Sequence, residues 1–241
     1  MEFTYNGYQV LLQSLNKRGY RFWNYHSFPQ SPRSVILRHD IDNSLEQAVR
    51  LAELEAAEGV YSTYFVLLRT DFYNPASKSG LAALRRIQAL GHEIGLHFDE
   101  AAYGVEEQKD IVQNITKECG ILSALLETQV SSVSMHRPSK ATLEADLQIP
   151  DVVNSYSKAF FQDFKYLSDS RRRWREPVLD IIESGAYDRL HILTHPFWYH
   201  ETEQSIQETV SAFVRSANEE RWRQMAENIT DMDSILKEDE L

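Results

Sequence analysis

Short apolar runs alternate with longer helical stretches from residue 35 to residue 194, and this beat leaves the chain few folds. Val35-Ile36-Leu37-Arg38 reads as a strand. After it, Leu45, Ala48, Val49, Ala52 and Ala56 recur at helical spacing. Ser44 and Gln47 have the spacing of a capping box at the start of that helix, and Gly59 stops it. Val60–Leu68, Glu93–Leu96, Val130–Met135 and His191–Thr194 read as further strands, with weaker candidates at Val152–Tyr156 and Lys165–Ser168. Leu81–Leu90, Glu106–Leu126 and Val178–Ser184 read as helices between them. Helical crossovers between strands imply a parallel sheet, covered on both faces. A barrel-like α/β domain and an open doubly wound sheet both satisfy the pattern.

Outside this stretch the signals are simpler. Val10, Leu11 and Leu15 predict one face of an N-terminal helix, ended by Lys17-Arg18-Gly19. Tyr20–Phe28 is aromatic and strand-like, and Pro29-Gln30-Ser31-Pro32 is a break. The segment Glu201–Leu241 is polar, acidic and helical in pattern. No shift in composition marks a boundary. The expectation is one domain over 1–241, made of a helix and strand (1–32), a core (33–200) and an acidic tail (201–241). A net charge of −11 argues against a broad nucleic-acid or anionic-membrane surface. The single Cys119 excludes an internal disulfide and suits a reducing compartment. No apolar run reaches membrane-spanning length, and Met1–Asn6 has neither a basic start nor an apolar core. The expected setting is therefore the cytoplasm.

Parallel α/β folds gather their chemistry at the carboxyl ends of strands. Five of the apolar runs end in the residue types that do chemistry. Arg38-His39-Asp40-Ile41-Asp42 closes the first, and His97-Phe98-Asp99-Glu100 follows Leu96. His136-Arg137-Pro138 follows Met135, Asp169 follows Ser168, and His195-Pro196 follows Thr194. Carboxylates and imidazoles brought to one mouth suit a divalent metal, an acid/base pair, or both. Asp40 and Asp42 invite a division of labour between base and metal ligand, although Asp42 also suits a helix cap. Arg137 beside a carboxylate would hold it ionised, and His195 near Asp169 would be an imidazole aligned by a carboxylate. His39 alternates with Asp40 and is expected to face away from the mouth. The tract Arg171-Arg172-Arg173-Trp174-Arg175 offers contacts to an acidic group on a substrate.

Together these residues resemble the polysaccharide deacetylase superfamily, the NodB homology domain of carbohydrate esterase family four. The match spans Val35 to Pro196. Leu37-Arg38-His39-Asp40-Ile41-Asp42 resembles the family's first motif in an Asp-x-Asp form, and Gly91-His92-Glu93-Ile94-Gly95-Leu96-His97 its second. His136-Arg137-Pro138 resembles the third, Ser168-Asp169 with Trp174 the fourth, and Leu193-Thr194-His195-Pro196 the fifth. The resemblance implies an irregular (β/α) barrel of about seven parallel strands and hydrolysis of an N-acetyl group on a sugar or polysaccharide precursor. It implies Asp40 as general base and Asp42 and His97 as ligands to a divalent metal, zinc in the family. Arg137 would orient Asp40, and His195, tuned by Asp169, would be the general acid. Trp174, Arg171 and Arg173 would meet the substrate.

One departure shapes the expectation. The family's second motif carries another metal-binding His four residues after the first, and here that position is Ala101. His136 is the leading replacement, with Asp99 and Glu100 as the other candidates. A metal-free hydrolase of a small non-sugar amide and a non-catalytic carbohydrate-binding barrel are the competing readings.

Overall fold

The two-residue alternation of a strand decides which side chains meet which layer here, because every strand is flanked by helices on one side and an interior on the other. In the computed structural model, residues 1–27, 32–104 and 108–238 are described. The proposed break at Pro29-Gln30-Ser31, the strand end at Phe28, the helix start at Glu106 and the last three residues of the tail lie outside them.

The chain forms two compact units, residues 1–201 and 202–241. In the first, α1 (Tyr5–Lys17) precedes β1 (Arg21–Trp23), β2 (Ser34–Ile41), α2 (Leu45–Ala57) and β3 (Thr63–Leu67). Then come α3 (Lys78–Ala89), β4 (Glu93–Phe98), a short 3₁₀ turn at Glu100–Ala102, α4 (Gln108–Leu126) and β5 (Ser132–Met135). The unit closes with α5 (Lys140–Ala145), β6 (Val153–Asn154), α6 (Lys158–Gln162), β7 (Lys165–Ser168), α7 (Val178–Ser184) and β8 (Arg189–Thr194). The strand order is β6-β5-β4-β3-β2-β8-β7, with β1 added beside β2. Every pairing between these strands is parallel. Seven strands thus curl into an open α/β half-barrel, the barrel-type alternative left open by the sequence pattern.

The outward face of the sheet packs on helices. Tyr64, Val66, Leu96, Phe98, Val133 and Met135 share a core with Ala48 and Ala52 of α2, Leu84 and Ile87 of α3, and Ile115 and Leu122 of α4. Val35, Leu37, Leu190 and Ile192 share a second with Tyr8, Leu11, Leu12 and Leu15 of α1 and Ile182 of α7. Inside the curl, Tyr25, Ile36, Phe65, Phe160 and Phe164 plug the barrel. Gly95 is needed there, since a Cβ on it would lie 2.5 Å from Phe65 Cε1.

Several local expectations change. Val10 is exposed, because the buried stripe of α1 runs through Tyr8, Leu11, Leu12 and Leu15 and Val10 falls off it. The aromatic strand shrinks to Arg21–Trp23, because Asn24 turns the chain: its Oδ1 accepts from His26 N (3.1 Å) and Ser27 Oγ (2.7 Å). The capping box at Ser44 is half made. Ser44 Oγ accepts from Gln47 N (3.2 Å), while the Gln47 carboxamide accepts instead from Tyr5 OH (2.7 Å). The second unit holds α8 (Ile206–Ala226), where Ser205 and Glu208 do complete a capping box, and α9 (Met232–Ile235). Among the described residues no helix is long and apolar enough to cross a membrane.

One buried carboxylate ties the outer layer to the sheet. Glu55 of α2 is fully buried and accepts from His39 Nε2 (2.7 Å), Ser62 Oγ (2.6 Å), Tyr64 OH (2.8 Å) and Tyr8 OH. His39 Nδ1 in turn meets Thr194 Oγ1 at 2.7 Å, which brings in β8. Burial pushes the Glu55 pKa up, but the His39 ring and the other donors outweigh it and hold it at about 2. Its reference value is 4.5, so its stabilisation is complete above about pH 5 and is lost as pH falls toward 2. Breaking such a network costs about 3–5 kcal/mol. Urea unfolding of Glu55→Gln should therefore show a large deficit against wild type at pH 7 that narrows by pH 3. A deficit independent of pH would contradict the assignment.

Candidate active site

Alternation along β2 turns Arg38 and Asp40 inward and His39 and Ile41 to the helices. Both inward residues are buried. Arg38 Nη2 donates to Asp40 Oδ2 (3.2 Å) and to Tyr156 OH (3.4 Å), and Nη1 donates to Ser155 Oγ (2.6 Å). Ser134 Oγ donates to the same Asp40 oxygen at 3.3 Å. Asp40 Oδ1 is buried and has no hydrogen-bond partner. One oxygen of this carboxylate is thus tied by a cation while the other keeps its lone pairs free.

Asp42, just past the end of β2, meets two imidazoles. His97 on β4 is in register with Ser134 on β5, and its Nδ1 faces the Ser134 carbonyl at 3.1 Å. That contact assigns the proton to Nδ1 and leaves Nε2 as a lone pair. His136 follows β5, its backbone held by Phe98 O at 2.7 Å. Asp42 Oδ1 lies 3.2 Å from His97 Nε2 and 3.3 Å from His136 Nδ1, and the two ring nitrogens are 3.1 Å apart. These atoms make a nearly equilateral triangle. A tetrahedral zinc bound at roughly 2.0–2.1 Å sets its ligand atoms about 3.3–3.4 Å apart, so the triangle has the dimensions of one face of that polyhedron. Asp42 Oδ1 is also buried without an aligned hydrogen bond. Burial alone would raise the Asp42 pKa, but the His136 and His97 rings reverse this and hold it well below the usual carboxylate range. Two imidazole nitrogens beside a carboxylate are a donor set that fits a divalent cation.

His195 stands on the other side of Asp42, with Nε2 4.0 Å from Asp42 Oδ2. Its Nδ1 donates to Asp169 Oδ1 (2.6 Å). Asp169 is fully buried, and its second oxygen accepts from Tyr199 OH (3.0 Å) and His195 N (3.1 Å). Burial lowers the His195 pKa, but the Asp169 charge and hydrogen bond overcome that and raise it to about 9. The ring is therefore an imidazolium at neutral pH.

The structure brings Asp40, Asp42, His97, His136, His195 and Asp169 to one mouth, and it leaves others apart. Arg137 does not reach Asp40. Its backbone is left-handed (φ 47°), and its largely exposed guanidinium bonds Asp99 Oδ2 at 3.1 Å. The contact expected of it belongs to Arg38, two residues before Asp40 on the same strand face. The other proposed replacements for the missing ligand are occupied. Asp99 Oδ1 caps Ala101 N (3.1 Å), and Glu100 accepts from Ser139 N (2.5 Å) and Thr142 Oγ1 at the start of α5. Ala101 itself is exposed. Trp174 packs against the apolar cluster that contains Tyr8 and Tyr199. Arg171 and Arg173 line a cavity beyond Asp169. Ser134 carried no expectation, and period-two spacing with His136 was the available signal for it.

The fold is a parallel α/β half-barrel with these residues at its strand ends. No family model matches the chain, and no curated protein matches it. Among solved structures it is similar to the chitin deacetylase from Colletotrichum lindemuthianum, at 16% identity over 78% of this chain and 83% of that one, TM-score 0.46. It is similar to the peptidoglycan deacetylase PdaC from Bacillus subtilis, at 14% identity over 82% and 99%, TM-score 0.44. A family-four pseudoenzyme from Bacillus anthracis is similar at 16% identity and TM-score 0.45; the chain covers 80% of itself there and spans 63% of that protein's length. These likenesses concern the path of the chain and assign no residue a role.

The mouth makes a direct prediction. Dialysed protein given zinc should hold about one ion per chain. Asp42→Ala, His97→Ala and His136→Ala should each lose affinity by at least about 100-fold, since even an outer partner is worth 10–100-fold. Asp99→Ala should retain the ion. Wild-type affinity in His136→Ala, read by elemental analysis, would remove His136 from the centre.

Proposed function

We propose that this chain is a metal-dependent hydrolase that removes the acetyl group from an N-acetylated sugar or glycan precursor. The observation that carries the reading is the triangle of Asp42 Oδ1, His97 Nε2 and His136 Nδ1, set between a carboxylate with one free oxygen and an imidazolium. The deacetylase activity named for similar structures agrees with it, and Ala101 loses force as an objection once His136 supplies the third corner.

Asp42, His97 and His136 would hold the ion, zinc by the donor set. When bound, the ion supplies Lewis acidity toward the acetyl carbonyl. Asp40 Oδ1 accepts a proton from water as the water oxygen bonds to the carbonyl carbon. Arg38 fixes the orientation of Asp40 through Oδ2. His195 Nε2 gives its proton to the sugar nitrogen as the C–N bond breaks, so that acetate and the free amine leave. Asp169 holds the His195 ring in the orientation that aims Nε2 at the mouth, as Tyr199 holds Asp169.

Asp40→Asn and His195→Ala should each lower kcat/KM for acetate release from N-acetylated chito-oligosaccharides by about 10²–10⁴-fold with zinc content unchanged. Full activity in Asp40→Asn would overturn the role of Asp40 as base.

A further inference from the structure

The loop after β7 carries a second feature that the hydrolytic residues do not use. Ser170, Arg171, Arg173 and Arg175 line a cavity of about 330 Å³. Arg171 and Arg172 both have left-handed backbones (φ 61° and 53°), and Arg172 turns out of the series to lie over the Phe3 ring at 5.0 Å. Arg171, Arg173 and Arg175 remain to line the cavity. The carboxylates nearest in sequence are already engaged: Asp169 holds His195, and Glu176 binds Lys165 Nζ at 2.6 Å. Among the described residues Arg171, Arg173 and Arg175 make no ion pair with a carboxylate. In a protein of net charge −11, three guanidiniums without a counter-ion on one cavity are a concentrated positive site. A single carboxylate is matched by one planar fork, whereas three forks match the several oxygens and double charge of a phosphate. Ser170 Oγ, 2.6 Å from Ser168 Oγ, adds a hydroxyl at the rim. The cavity begins one residue beyond Asp169, whose carboxylate aims His195 at the mouth.

We propose that Ser170, Arg171, Arg173 and Arg175 form a subsite for a phosphate ester carried by the acetylated sugar. This rests on the deacetylase reading of the neighbouring mouth. The substrate class is then a sugar phosphate or a sugar joined to a nucleotide or lipid through phosphate, rather than a neutral polymer.

The test is titration calorimetry of the full, zinc-loaded chain with glucose 1-phosphate and with glucose. Glucose 1-phosphate should bind, and glucose should bind at least about tenfold more weakly, a gap of ~1.4 kcal/mol. The Arg171→Ala/Arg173→Ala/Arg175→Ala variant should abolish that preference, while Arg215→Ala/Arg221→Ala, in the separate second unit, should keep it. Equal binding of the two sugars, or a preference that survives the triple substitution, overturns the subsite. Glucose 1-phosphate should also inhibit release of acetate from N-acetylglucosamine 1-phosphate competitively; non-competitive inhibition overturns a phosphate borne by the substrate. The two readings fail separately. Phosphate-selective binding with no acetate released from any acetylated sugar removes the deacetylase and leaves the subsite. Acetate release with no phosphate preference does the reverse.

Discussion

A buried carboxylate must be met by donors or give up its charge, and the central strand of this sheet serves one on each face. Inward, Arg38 and Ser134 share one oxygen of Asp40. Outward, His39 joins Tyr8, Ser62 and Tyr64 around Glu55. The two demands fall on consecutive residues of β2 and cannot be exchanged without a shift of register. The outer network reaches Thr194, the residue before His195. Packing of the helices and placement of His195 therefore depend on the same strand.

The inner face shows how unequal treatment of similar groups makes a site. Asp40 is clamped at one oxygen and free at the other. Asp42 is surrounded by imidazoles and held ionised. Asp169 bonds His195 through both oxygens and Tyr199 through one. Three carboxylates thus have three environments suited to proton acceptance, cation binding and alignment of an acid. Where the resemblance implies a histidine the chain has Ala101, and His136, where β5 ends beside His97 on β4, sets its Nδ1 3.1 Å from His97 Nε2 across one strand spacing.

Much of this was legible because it depends on local periodicity. The alternation of apolar runs and helices is written by the need to bury a parallel sheet on both faces, and the polar strand ends followed from it. His39 facing outward followed from the two-residue period of β2. The same period, applied to Ser132, Ser134 and His136, turns His136 inward and Arg137 out. Arg38 shows the limit of motif spacing. A resemblance directed attention to Arg137, whereas the residue two positions before Asp40 on its own strand had the shorter route to it. Glu55 was hidden because nothing local marks an acid within an apolar helical face as buried; its donors come from α1, β2 and β3 with the residue before it. The short helices α5 and α6 were missed for a related reason, since five or six residues hold too few turns to show a period.

The central claim is that Asp42, His97 and His136 are three corners of one metal site. Crystals of the wild-type chain grown with zinc, measured on either side of the zinc absorption edge, test it directly. The account predicts one anomalous peak within bonding distance of Asp42 Oδ1, His97 Nε2 and His136 Nδ1, with Asp40 and His195 free of the ion. A peak held by Asp99 or Glu100 instead, or none at this mouth under saturating zinc, would contradict it.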